Sequence, residues 1–169
     1  KYTIIHFEEL NRAGKSVRDA ALQLLLDRMI GSDFKFNEKV LMCASGNLGE
    51  EDNTDVDDFD GALNNRLIHV RHDLEPDEWL ENFAYNNIHN SICDFIKGTP
   101  TYMYRDPKDQ NDNKAKAYAS PRTWEFLSDY IVSNYGWDCE VCEFIEDVIR
   151  LGYSYIGSSV NEYIKFIKN

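Results

Sequence analysis

Two glutamates in succession, Glu8 and Glu9, follow the apolar run Tyr2 to Phe7 (YTIIHF), and a second apolar run, Val40 to Ala44 (VLMCA), ends in Ser45-Gly46-Asn47. In open α/β sheets a ligand binds beyond the carboxyl ends of the strands, so polar groups at such ends are the first candidates for chemistry. Adjacent carboxylates there fit a nucleotide site in which one supports a hydrated Mg2+ and the other activates water for attack on phosphate. The same pair also reads as two solvated acids before a turn, and Asn47 as a residue that caps a turn.

These residues need elements to hold them. The runs at Tyr2–Phe7 and Val40–Ala44 predict buried strands, and Leu67 to Val70 (LIHV) predicts a third. Val17, Ala20, Ala21, Leu24, Leu25 and Met29 recur at intervals of three and four, which predicts an amphipathic helix over Ser16–Met29, capped by Ser16 and ended by Gly31. Strands alternating with helices indicate an α/β sheet that is at least partly parallel. Glu50 to Asp60 reads as an acidic loop before a short helix over Phe59–Asn65.

From Pro76 onward no strand pattern survives. Pro76 suits a first helical turn, with Asp77 and Glu78 at its positive end. Further helices are expected over Ile88–Ile96, from Ser120-Pro121 with Trp124, Leu127 and Ile131 on one face, over Glu140–Leu151 and over Ser158–Ile167. Gly98 to Ala119 reads as a long loop or insert. The plan is an α/β piece over 1–75 and an all-helical piece over 76–169.

The order of the pieces carries more than any one of them. IIHFEELNRAGKSVRDAALQLLLDR, then VLMCASGN, then ALNNRL, then SPRTWEFLSDYI together resemble the AAA+ ATPases, most closely their MoxR-like branch of bacterial or phage type. The resemblance runs from the Walker B strand through the helical lid. It implies a partial P-loop NTPase core, on its Walker B side, followed by a lid domain. In this likeness Glu9 matches the catalytic glutamate that polarises the attacking water, and Glu8 stands where an Asp usually holds Mg2+ through water. Asn47 matches sensor 1, Arg66 in ALNNRL the arginine finger offered to a neighbouring subunit, and Arg122 in SPRTW the sensor 2 residue of the lid. Arg12 belongs to the Walker B block and would face the subunit boundary. The resemblance further implies ATP and Mg2+ as cofactors, a homo-oligomeric ring, hexameric in form, and a protein client remodelled by turnover. A scaffolding protein derived from the same family, without turnover, is the alternative.

A P-loop reads G-x-x-x-x-G-K-[ST] after a strand, so that backbone N–H groups cradle the phosphates. Gly14-Lys15-Ser16 offers the last three letters, but Glu9 stands at the first-glycine position. The chain opens on Lys1 directly inside a strand pattern, which leads us to expect a preceding segment, and the chain alone is expected to be inactive. Cys139-x-x-Cys142 with His69-x-x-His72 has zinc-type ligands at spacings too wide for a zinc finger.

Composition narrows the classes further. Lys+Arg number 18 against 30 Asp+Glu, a net charge of −12, and the part that ends with Glu75 and the part after it each hold 9 basic and 15 acidic residues. That sign repels a phosphate backbone and disfavours a general nucleic-acid binder. No apolar run approaches the length of a membrane span. The cysteines, Cys43, Cys93, Cys139 and Cys142, are too sparse for a disulfide scaffold and no signal peptide precedes them, so the expected location is the cytoplasm.

Overall fold

A computed structural model describes residues 1–47, 64–65, 67–105 and 117–169. The chain divides into two compact units, Lys1–Arg71 and His72–Asn169. It is a mixed fold, with a small parallel sheet in the first unit and a helical second unit.

The first unit runs β1 (Thr3–Phe7), α1 (Lys15–Asp27), β2 (Met29–Ile30), β3 (Phe34–Lys35) and β4 (Val40–Ala44). β1 and β4 pair in parallel, with Thr3 opposite Val40 and Phe7 opposite Ala44. A parallel pair needs a crossover, and α1 with the β2–β3 hairpin supplies it. The strands are not fully buried as their apolar sequence predicts. Ile5, Phe7, Val40 and Met42 are half-buried, whereas Ile4 and Leu41, opposite each other, lie exposed on the other face.

Three expectations need correction here. The helix opens at Lys15, not after a Ser16 cap, because the Gly14 carbonyl accepts from Val17 N–H (2.9 Å) and Arg18 N–H (3.1 Å) and closes the first turn itself. It stops at Asp27 because Arg28 turns left-handed (φ 57°), which frees Met29-Ile30 to pair antiparallel with Phe34-Lys35 around Gly31 (φ 60°). The Arg28 guanidinium then ties the helix end to the start of β4, donating to the carbonyls of Asn37 (2.6 Å) and Val40. Finally, Leu67–Val70 forms no strand: Ile68 is 95% and Val70 84% exposed, since an apolar run becomes a strand only with a ladder partner. The expected acidic loop and short helix lie, apart from Asn64 and Asn65, outside the described residues.

The second unit begins with α2 (Pro76–Trp79), which continues through a π-turn (Leu80–Ala84) into α3 (Tyr85–Asn87). α4 (Asn90–Gly98), α5 (Pro121–Tyr135), α6 (Val141–Ile156) and α7 (Val160–Lys168) follow. The expected helix over Ile88–Ile96 starts later because Ile88 is extended and His89 caps α4, its side chain accepting from Ser91 N–H. α5 starts as its sequence predicts, with Ser120 and Thr123 capping each other in a reciprocal box and Pro121 in the first turn. α6 runs past Leu151 to Ile156 because Gly152 sits inside it: a Cβ there would lie 2.5 Å from Val160 Cγ2, so the bare backbone lets the start of α7 approach.

Burial of large side chains holds these helices together, Trp124, Phe95, Phe144 and Tyr163 being almost wholly enclosed. Phe95, Trp124 and Tyr163 pack ring to ring at centroid distances of 5.4–5.6 Å, and the Trp124 indole N–H donates to the Tyr102 carbonyl at 2.9 Å. Among the described residues no helix is long and apolar enough to cross a membrane.

Candidate functional site

The parallel register of β1 and β4 brings their carboxyl ends side by side. Past the strands the pairing continues, with Ser45 N–H donating to the Phe7 carbonyl (2.9 Å) and Leu10 N–H to the Ser45 carbonyl (3.0 Å). His6 Nε2 and Ser45 Oγ, 3.0 Å apart, add a side-chain link across the same gap. Glu9 takes the left-handed conformation (φ 50°, ψ 42°), uncommon for a residue with a Cβ. One turn of 3-10 helix, Leu10–Arg12, follows. The reversal buries Leu10 and Asn11, at 5% and 8% exposure, and leaves both carboxylates in solvent.

Asn11 locks the two ends together. Its Nδ2 donates to the Asn47 carbonyl at 2.6 Å, and its own carbonyl accepts from the Arg18 guanidinium at 3.3 Å. Its Oδ1 is buried without a conventional hydrogen-bond partner and faces Gly46 so closely that a Cβ there would lie 2.3 Å from it. The hydrogen that replaces that Cβ therefore points at Oδ1, a weak C–H···O contact. Asn47 is half-buried, and among the described residues its side-chain amide has no partner. Sequence reasoning missed Asn11, Ser45 and Gly46 as connectors, although all three lie in the strings LNRA and ASGN that flank the candidates.

The glutamates differ in engagement. Glu9 Oε2 pairs with Arg12 Nη1 at 3.0 Å, both side chains about half exposed, and an ion pair so hydrated contributes little stability. Glu8 is exposed at the strand end. Two exposed carboxylates can support an Mg2+ ion that keeps most of its waters and takes further ligands from phosphate, as that ion prefers. They do not build a closed cage: among the described residues no group of three or more His, Cys, Asp or Glu is placed to hold a metal.

Two candidates remain, Arg66 and Arg122. Arg66 falls outside the described residues. Arg122 belongs to the second unit, exposed in the first turn of α5, where it lines an open cleft of about 470 Å3 with Tyr104, Ala117, Tyr118 and Pro121 among its walls.

Two polar networks in the second unit hold titratable groups outside this set. Tyr163 OH is 2.7 Å from Ser91 Oγ, Ser91 Oγ 2.8 Å from His89 Nδ1, and His89 Nε2 3.5 Å from Cys139 Sγ. Because Nδ1 accepts from Ser91 N–H, the imidazole is neutral with its proton on Nε2, directed at the sulfur. Burial holds His89 below its usual range. Burial, with Glu143, Glu140 and Asp138 nearby, pushes the Cys139 thiol up, so it is not primed as a nucleophile. On the other network, Asp147 Oδ2 accepts from Tyr130 OH (2.6 Å) and Tyr135 OH (2.7 Å), while Arg150 donates to Oδ1 (2.6 Å). Hydrogen bonds from the two phenols hold the Asp147 carboxyl down, and the acceptor they share pushes Tyr135 up to about 12.

Compared with known proteins, the chain matches no family model, no curated protein and no solved structure.

Proposed function

We propose that this chain is the Walker B-to-lid portion of a MoxR-like AAA+ ATPase, working in the cytoplasm as a homo-oligomeric ring that couples ATP hydrolysis to remodelling a protein client. The observation that carries the reading is the side-by-side placement of the Glu8–Glu9 and Ser45–Asn47 strand ends, locked by Asn11. In this reading Glu9 accepts a proton from the attacking water and Asn47, whose amide is open, orients that water. Glu8 would hold a hydrated Mg2+, which would supply charge neutralisation at the phosphates. Arg66 reaches a neighbour's nucleotide, and Arg122 contacts the nucleotide from the lid.

One observation favours a scaffold without turnover. The Glu9 carboxylate is already paired with Arg12, and a general base must be released from such a partner before it can take a proton.

Mixing separates the two. In the intact ring Glu9→Gln is expected to abolish hydrolysis and spare ATP binding, because loss of the base affects the transition state more than the ground state. Arg66→Ala is expected to be inactive alone and to regain part of the activity when co-assembled with Glu9→Gln, since a subunit retaining Glu9 can then sit against one retaining Arg66. An arginine finger contributes about 10³-fold or more, so partial rescue stands above background. Parent rings that bind ATP and do not turn it over would reject the catalytic reading in favour of the scaffold, and Glu9→Gln rings that turn over at the parent rate would reject the role of Glu9.

A further inference from the structure

All four long helices of the second unit meet at His89, which is 4% exposed. α4 starts from it, and its backbone N–H donates to Ser128 Oγ of α5 at 2.8 Å. Its ring stands edge to face on Phe144 of α6, centroids 5.4 Å apart. Through Ser91 it reaches Tyr163 of α7.

The side-chain hydrogen bonds at this junction run in one direction. Nδ1 accepts from Ser91 N–H at 3.4 Å and so carries no proton, which makes the Ser91 hydroxyl, 2.8 Å away, a donor to it as well. Ser91 has then spent its one hydroxyl proton, and Tyr163 OH, 2.7 Å from Ser91 Oγ, must be the donor there. Nε2–H ends the chain on Cys139 Sγ. From Tyr163 through Ser91 and His89 to Cys139, each group donates to the next.

A proton on Nδ1 reverses that order. Nδ1–H then donates to Ser91 Oγ, the Ser91 hydroxyl turns toward Tyr163, and the Tyr163 hydroxyl has no other acceptor among the described residues. Ser91 N–H loses its acceptor at the same time. A fully buried hydroxyl and a helix-capping amide are both stranded, and the new cation sits at the positive end of the nine-residue α4. The titratable neighbours are Cys93 on α4, Cys139 ahead of α6 and Tyr163 on α7, while α5 presents Ser128 and α6 presents Phe144. Asp94 acts on Cys93, and Asp138, Glu140 and Glu143 act on Cys139, but burial alone acts on the imidazole.

We propose that the Tyr163–Ser91–His89 chain is an acid-operated switch, in which one proton taken from solvent by Nδ1 reverses the hydrogen bonds and loosens α7 together with the first turn of α4. The switch needs no nucleotide. Acid favours the loosened form because the imidazole holds a proton more readily outside this junction than within it.

The test follows the His89 ring proton of the 169-residue chain by NMR as pH is varied, with His89→Asn to assign the signal. Tyr163→Phe keeps the ring that packs on Phe95 and Trp124 and deletes only the hydroxyl that would be stranded. His89 should therefore bind its proton about fivefold or more tightly in that variant. In a Ser91→Ala background the link is cut, and Tyr163→Phe should change His89 no further. Hydrogen exchange, corrected for the intrinsic effect of pH, should show the amides of α7 and of Ser91 losing protection as pH falls below 6.5, and His89→Asn should keep it. A His89 titration that Tyr163→Phe leaves unchanged would overturn the chain, and α7 amides that keep full protection while His89 takes up its proton would overturn the switch.

Discussion

Gly46→Ala is the sharpest probe of the lock between the two strand ends. The added methyl would lie 2.3 Å from Asn11 Oδ1 and 2.7 Å from Asn11 Cγ, distances that no side-chain adjustment of a few tenths of an ångström relieves. Asn11 is buried, so it must leave its pocket, and its bond to the Asn47 carbonyl goes with it. Losing a buried hydrogen bond and stranding its partner costs about 1–3 kcal/mol, against which alanine recovers about 0.4–1 kcal/mol by restricting the unfolded chain. The net is a loss of about 1–2 kcal/mol, a factor of about 5–30 in the opening equilibrium. The three tryptophans, Trp79, Trp124 and Trp137, all lie in the second unit, so their fluorescence does not report this site. Hydrogen exchange read by mass spectrometry over 1–47 does, and β1 and β4 amides should exchange faster by about that factor. Adding Asn11→Ala removes the atom that is struck, so the double variant should exchange no faster than Asn11→Ala alone. Simple additivity of the two effects would show that Gly46 and Asn11 do not oppose each other, and the account of the lock would fail.

Gly152→Ala should destabilise the second unit even though alanine favours a helix by about 1 kcal/mol, because its Cβ meets Val160 Cγ2 at 2.5 Å; tryptophan-monitored urea unfolding should show the loss, and Val160→Ala should relieve it. The His89 pKa lies below its unfolded value, so the neutral cap contributes fully above about pH 6.5 and is lost as pH falls through the folded value. The second unit should therefore weaken on mild acidification, and a parental pH dependence in His89→Asn would refute the role of the imidazole. Tyr135 is the opposite case: its folded pKa of about 12 lies above the ordinary 10.0, so its bond to Asp147 is fully present below pH 10 and lost as pH rises toward 12. Tyr130, which shares the Asp147 carboxylate, and the buried Tyr163 are also held up, so an ultraviolet titration should show several late tyrosinates, of which those of Tyr130 and Tyr135 move earlier in Asp147→Ala.

What the sequence reveals depends on how far apart the interacting residues are. The start of α5 is legible because its signals, Ser120, Pro121 and Thr123, act within one turn. β1 and β4 are legible as apolar runs, and so is the polar character of their ends. The Asn11–Asn47 bond is not, because it joins residues 36 positions apart and nothing local marks either as a partner. The β2–β3 hairpin escapes notice for another reason: strands of two residues are too short to show a period. At α4 the cap is a histidine, outside the small set of side chains that usually mark a helix start. Leu67–Val70 shows the reverse error, since apolar character states what a segment tolerates and not what it pairs with.

The left-handed Glu9 sets one property of the chain against another. A residue with a Cβ in that conformation costs about 1–2 kcal/mol relative to glycine, so Glu9→Gly relaxes the turn at the same step that deletes the carboxylate. Any selection for thermal tolerance alone would be drawn to position 9 and would return a sturdier chain without its candidate base. Libraries intended to harden this protein should therefore hold position 9 fixed, or score every survivor for hydrolysis as well as for melting temperature.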